Sequence, residues 1–222
     1  MRGAASRQVL ADHVYDELMV ALVDGRLAAD EPLNIDALAR DLDVSPTPIR
    51  EALARLEATG LVIRAALKGY RVAPLFSSEE ILELMDARAL LEPENAFRAC
   101  VRSSGTLIEQ LDQTVADLDR SLVDAAPAIT PRWQADERFH HLIAEAAGNR
   151  FLLSAYTALG GQVQRFRLFG GLAVSDAGSA IAEHARIIDA FRAGDASDAR
   201  LQMQAHIAGV RTRAVADTRH EH

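Results

Sequence analysis

The chain has 222 residues, 49% hydrophobic and 25% charged, with a formal net charge of −8. That length allows one large or two modest domains, and so apolar a composition excludes an intrinsically disordered chain. No apolar run is long enough to span a bilayer, residues 1–10 lack a signal-peptide core, and Cys100 alone excludes an internal disulfide, so a cytoplasmic protein without membrane contact is expected.

Charge is distributed unevenly. Residues 1–44 carry Arg2, Arg7, Arg26 and Arg40 against nine acids, whereas residues 45–74 carry Arg50, Arg55, Arg64, Lys68 and Arg71 against only Glu51 and Glu57. A local excess of this kind steers a surface toward phosphate whatever the total charge.

In chain order, residues 1–7 read as a loose tail and a first helix is predicted from about Gln8 to Asp24, stopping at Gly25. Ala28 to Pro32 reads as a turn. Asn34 caps a short helix over Ile35–Asp41, Leu42-Asp43-Val44 makes a tight connection, and Ser45 caps a third helix that reaches about Ala58. Pro46 and Pro48 fall in its first turn, where a missing N–H is harmless. Two short helices joined by so brief a turn have helix-turn-helix geometry. Leu61–Arg64 and Tyr70–Val72 then read as strands with Lys68-Gly69 between them, a β-hairpin wing whose tip holds the chain's only lysine. The alternative is a small α/β packing unit with a solvated charged loop. Arg50, near the start of the third helix, suits a phosphate or a guanine edge, unless it pairs with Glu57 or a neighbouring acid.

Leu33-Asn-Ile-Asp-Ala-Leu-Ala39, Val44-Ser-Pro-Thr-Pro-Ile-Arg-Glu-Ala-Leu53, Leu56, Gly60-Leu61 and Lys68-Gly69-Tyr70 resemble the DNA-binding domain of GntR-type bacterial transcription regulators. The resemblance covers about Val14 to Pro74. It implies a recognition helix in the major groove, with Ser45, Thr47 and Arg50 near phosphates or base edges, and Lys68 and Gly69 of the wing at the minor groove. Asp36 and Pro46 stand where many members carry arginine, so direct base readout at those positions is not carried over.

From residue 77 onward no strand-like alternation follows. Ser77-Ser-Glu-Glu80 reads as a capping box, and helices are predicted near 77–101, 105–124, 131–147, 150–169, 179–193 and 197–217, with Gly- and Pro-containing breakers between them. The expected class is mainly α: a winged helix-turn-helix over residues 1–76, then an all-α bundle of six or seven helices over 77–222. Gly160-Gly161 inside the fourth of these helices either leaves room for a ligand or kinks the helix. Asn149, after Gly148, reads as a helix cap.

Three inward faces of that bundle carry ionisable groups. Trp133, Asp136, His140, Ile143 and Ala147 are spaced three, four, three and four; Ile181, His184, Ile188 and Phe191 form a second stripe, and Met203, His206 and Val210 a third. Burying such groups without partners costs several kcal/mol. They could hydrogen-bond among themselves, but one metal ion would satisfy all four together. His141, a hundred degrees around the helix from His140, is expected to face away. Arg88 lies on the stripe Ile81, Leu84, Arg88, Leu91, Asn95, either as a structural ion pair with Glu92 or Asp136, or as a fork for a small carboxylate.

Arg88-x-x-x-Glu92-Pro93, Asp136-x-x-x-His140, Gly148-Asn149, Glu183-His184-x-x-Ile187 and Leu201 to His206-Ile207 resemble the all-helical, FCD-type effector domain of the FadR-like branch of these regulators, over most of 78–213. The metal-binding subset uses one Asp and three His, which implies Asp136, His140, His184 and His206 as ligands of a divalent transition metal (Zn, Ni or Mn) facing a central cavity. The resemblance also implies an organic-acid effector, for which Arg88 is the candidate contact.

The expected function is a homodimeric, ligand-responsive transcription regulator, more often a repressor in such a family. Two copies would read a pseudo-palindromic operator, and the effector would shift the placement of the two DNA-binding domains. The alternatives are a direct metal sensor without organic effector, and a metalloenzyme. No unassigned inward base or nucleophile supports the enzyme, and it would leave the winged helix unexplained.

Overall fold

The computed structural model describes residues 2–23, 25–65, 69–123, 129–169 and 177–218. The chain folds as two units, Met1–Leu75 and Phe76–His222.

The first unit contains α1 (Arg2–Val23), β1 (Pro32–Leu33), α2 (Ile35–Asp41), α3 (Pro46–Ala58), β2 (Val62–Ala65) and β3 (Gly69–Val72). The helix α1 begins at Arg2, six residues before the expected start, because Ala4, Ala5, Arg7 and Gln8 favour helix and no proline or cap interrupts them. Asn34 caps α2 by accepting from the Ala37 N–H at 2.9 Å. The sheet has three strands in the order β1-β3-β2, all antiparallel, with Ile63 opposite Arg71 and Arg64 opposite Tyr70. The two-residue strand β1 lies where a plain turn was expected, because Glu31 to Leu33 run alongside β3 and the Val72 N–H donates to the Glu31 carbonyl at 2.9 Å. Val14, Leu18, Leu22, Ile49, Leu53, Leu56, Leu61 and Val72 are buried together as the core.

The second unit contains α4 (Ser78–Val101), α5 (Gly105–Val123), α6 (Ile129–Ala146), α7 (Arg150–Phe169), α8 (Ala177–Ala193) and α9 (Ala196–Thr218). No strand occurs among its described residues. Ser77 and Glu80 form the expected capping box at α4, with distances of 3.1 and 2.8 Å. The helices α4 and α9 run antiparallel, tied at one end by Arg200 to Glu94 at 2.5 Å and at the other by Arg211 to Asp86 at 2.7 Å. The helix α7 continues through Gly160 and Gly161. Ala96, Ala99, Leu111, Phe139, Ile143, Ile187, Phe191, Met203 and Ile207 make the main core, and Ile81, Met85, Val163, Phe166 and Val210 a second cluster. No helix among the described residues is long and apolar enough to cross a membrane.

Leu53 is fully buried in the first unit. Leu53→Ala is expected to cost about 2–5 kcal/mol, the range for a truncated core leucine. Urea unfolding followed by circular dichroism measures it, and a loss below about 1 kcal/mol would show that this core is not closed around α3.

Candidate functional site

The bundle brings the three histidine stripes together. His140 on α6, His184 on α8 and His206 on α9 are all buried, and each offers one ring nitrogen within 4.8 Å of the other two. Asp136 stands one turn before His140, its Oδ1 3.6 Å from His184 Nε2 and its Oδ2 3.9 Å from His140 Nε2. Phe139 stacks flat on the His184 ring, with centroids 3.8 Å apart and planes 5° apart, which fixes that imidazole against the core.

Behind two of the imidazoles stands a carboxylate held by an arginine. Glu92 Oε2 lies 2.6 Å from His140 Nδ1, and Arg88 donates to Glu92 through Nε at 2.5 Å and Nη2 at 3.4 Å. Glu183 Oε2 lies 2.8 Å from His206 Nδ1, and Arg213 donates to both of its oxygens at 2.9 and 3.0 Å. An ionised carboxylate only accepts, so the His206 Nδ1 that meets Glu183 carries a proton; His140 Nδ1 stands close to Glu92 but outside hydrogen-bond geometry. Burial alone would raise the Glu92 carboxyl, yet Arg88 and then His140 hold it well below the usual carboxylate range.

Both ring nitrogens of His140 are buried, and neither makes a hydrogen bond among the described residues. Three converging imidazoles with a carboxylate beside two of them are chemistry suited to a divalent transition metal and fit it.

Arg88 is only 1% exposed and forms the ion pair with Glu92 that the sequence left as one of two readings. Asn95, a turn beyond Glu92 on α4, is also 1% exposed, and neither atom of its carboxamide makes a hydrogen bond among the described residues. Two groups escaped the sequence reading. The Tyr156 hydroxyl on α7 donates to Glu137 Oε2 at 3.2 Å, and both lie close enough to Arg88 to feel its charge. Burial raises the Glu137 carboxyl above its usual range, and burial followed by the Glu137 charge raises the Tyr156 phenol well above its own. A Cβ on Gly160 would stand 3.5 Å from Glu137 Oε1, so the glycine borders this group without being required by it. His141 is half-buried, its ring centroid 6.3 Å from that of Tyr156. The Asn149 side chain accepts from the Phe151 N–H at 3.0 Å, as the helix cap expected there.

In the first unit Ser45, Thr47 and Arg50 are exposed together at the start of α3. Ser45 occupies the N-cap position but its side chain caps nothing, which leaves the hydroxyl available. Among the described residues no carboxylate lies within ion-pair distance of Arg50, in contrast to Arg55, which pairs with Asp12 at 2.7 Å and covers the Tyr15 ring. Arg71 is likewise tied to Asp30, so part of the basic excess counted in the sequence is spent inside the unit. Gly69 opens β3 with φ +82°. Lys68 lies outside the described residues.

Comparison with known proteins agrees with this architecture. Residues 83–209 match the FCD domain, and residues 10–72 match the bacterial regulatory proteins of the gntR family. The chain belongs to the GntR-family transcription regulators that carry an FCD domain, a family of regulators and not of enzymes. It is 28% identical over 211 residues to a Paenarthrobacter nicotinovorans protein named "Probable D-xylose utilization operon transcriptional repressor", covering 91% of this chain and 88% of that one. A regulatory protein of Escherichia coli K12 named for the L-lactate dehydrogenase operon is 28% identical over 226 residues, covering 91% and 85%. A solved GntR regulator from Rhodococcus sp. RHA1 superposes with a TM-score of 0.73 at 19% identity, covering 93% of this chain and 97% of that one.

The buried Arg88–Glu92 pair makes a prediction about stability. Arg88→Met is expected to cost about 3–5 kcal/mol, since it strands a buried carboxylate, and the double variant Arg88→Met, Glu92→Met to recover most of that loss. Thermal and urea unfolding of the two variants measure it; equal destabilisation of both would mean that stranded charge is not the cause.

Proposed function

We propose that this regulator is a homodimeric repressor whose helical unit holds a divalent transition metal through Asp136, His140, His184 and His206 and responds to a small carboxylate. The observation that carries the reading is the convergence of three buried ring nitrogens with Asp136 beside two of them. A bound metal would supply a Lewis-acidic centre for an effector oxygen. Arg88 and Asn95 are the side chains proposed to meet the effector. Among the described residues Arg88 Nη1 meets Met85 Sδ at 4.0 Å, and Asn95 offers both a donor and an acceptor. One relative is named as a repressor and another for an L-lactate dehydrogenase operon, which favours repression and a carboxylate effector.

On this reading residues 1–76 bind operator DNA and residues 77–222 bind effector and dimerise, in the cytoplasm. Ser45, Thr47 and Arg50 approach phosphates or base edges from α3, and the wing with Lys68 and Gly69 approaches the minor groove. One recognition helix reads only a few base pairs, so two copies on a pseudo-palindrome supply the specificity. Effector binding changes operator affinity by favouring one state of the dimer, with a coupling of about 1–3 kcal/mol. Full burial of the histidines favours a retained metal over direct reversible metal sensing.

Elemental analysis of protein purified without chelator is expected to find about one metal per chain, and markedly less in His184→Ala. No metal in either would leave the cluster a hydrogen-bonded core. A thermal-shift screen with acetate, lactate, succinate and citrate is expected to raise the melting temperature with at least one acid, an effect absent from the metal-stripped protein. Arg50→Ala is expected to weaken specific operator binding at moderate salt by about 1–3 kcal/mol while the oligomeric state is unchanged; an unaltered footprint contradicts its role.

A further inference from the structure

We infer that Glu183, Arg213 and Gly209 form a positioning device for His206, and that the missing side chain at Gly209 is what lets the device close. The inference rests on the metal reading proposed above. His206, Gly209 and Arg213 follow one another at three and four residues along α9, so they share a face. Glu183 reaches that face from α8. Its carboxylate lies between His206 Nδ1 at 2.8 Å and the two Arg213 nitrogens at 2.9 and 3.0 Å, directly over position 209. A Cβ built there would stand 2.9 Å from Glu183 Oε1 and 2.8 Å from Arg213 Nη1, closer than a real Cβ approaches, so these two side-chain tips would have to shift.

Glycine is a poor choice for the interior of a helix unless something needs the space. Here the space is filled by a carboxylate that accepts from His206 Nδ1 and so fixes the orientation of a ring that stands in one cluster with His140 and His184. Arg213 holds both Glu183 oxygens, which keeps that carboxylate against the imidazole and offsets its charge. On α4 and α6 a related order recurs as Arg88, Glu92 and His140, with the arginine and the carboxylate on one helix and Glu92 Oε2 2.6 Å from His140 Nδ1. At Gly209 the arginine and the histidine share α9, and the carboxylate from α8 lies over the residue between them.

Gly209→Ala separates this role from a merely structural one, because the two predict opposite outcomes. Alanine favours helix, so the metal-free variant is expected to melt at or above the wild-type temperature. The two side-chain tips must move, so affinity for zinc, measured by competition with a chromophoric chelator, is expected to fall about 10–100-fold. Cobalt(II) loaded into the variant is expected to show a visible spectrum different from wild type. Arg213→Met, which keeps the glycine, is expected to lower zinc affinity in the same direction. The inference is overturned if both variants bind zinc with wild-type affinity, whatever their melting temperatures, or if Gly209→Ala loses stability and keeps wild-type affinity and cobalt spectrum. Wild type that binds neither zinc nor cobalt overturns the metal reading itself, and the positioning role falls with it.

Discussion

Each of two buried histidines is held by a carboxylate that is in turn held by an arginine, and the architecture of the helical unit follows from making both chains possible. Glu92 and Arg88 come from α4, Glu183 from α8 and Arg213 from α9, so α4, α6, α8 and α9 must all meet at one level of the bundle. Alone, any of these groups would be costly so far from water. Together they offset one another. The Phe139 ring does for His184 by stacking what the carboxylates do for the other two. Apolar layers rich in alanine, isoleucine and phenylalanine close the site on its core side.

The histidines were legible in the sequence because each one interrupts an apolar stripe whose period is that of a helix. Their outer partners were harder to read. Glu183 and Glu137 are next-door neighbours of His184 and Asp136, and a helical-wheel argument turns an adjacent residue away by a hundred degrees. A glutamate is long enough to reach back around, and its partner sits on another helix, so nothing local signals the contact. Arg88 was open between ion pair and effector fork; its pairing with Glu92 is now seen, and the carboxamide of Asn95 emerges as a buried polar group without a hydrogen bond among the described residues. Gly209 gave no sequence signal at all, because a lone glycine in a helix has meaning only once the opposing side chains are placed.

In the first unit local rules carried further. Caps, prolines in a first turn and the switch from helical to alternating periodicity placed α2, α3 and the two long strands within about a residue or two. Two features were missed: the early start of α1, where local helix preference runs back to Arg2, and the two residues of β1, which become a strand only because β3 runs beside them. Counting charges also misled in part. Arg55 and Arg71 belong to the surplus in the sequence but are tied to Asp12 and Asp30, so α3 presents Arg50, Ser45 and Thr47 as its clearest polar group for a phosphate backbone.

On the metal reading proposed above, the three imidazoles and Asp136 converge on a cation rather than on one another. Anomalous diffraction from crystals of the full chain grown without chelator, collected on both sides of the zinc and nickel absorption edges, tests it most directly. The account predicts a single strong anomalous peak per chain enclosed by His140, His184 and His206, with Asp136 beside it and Glu92 and Glu183 behind. A map with no such peak, in which the same rings hydrogen-bond directly to each other and to Asp136, would contradict it.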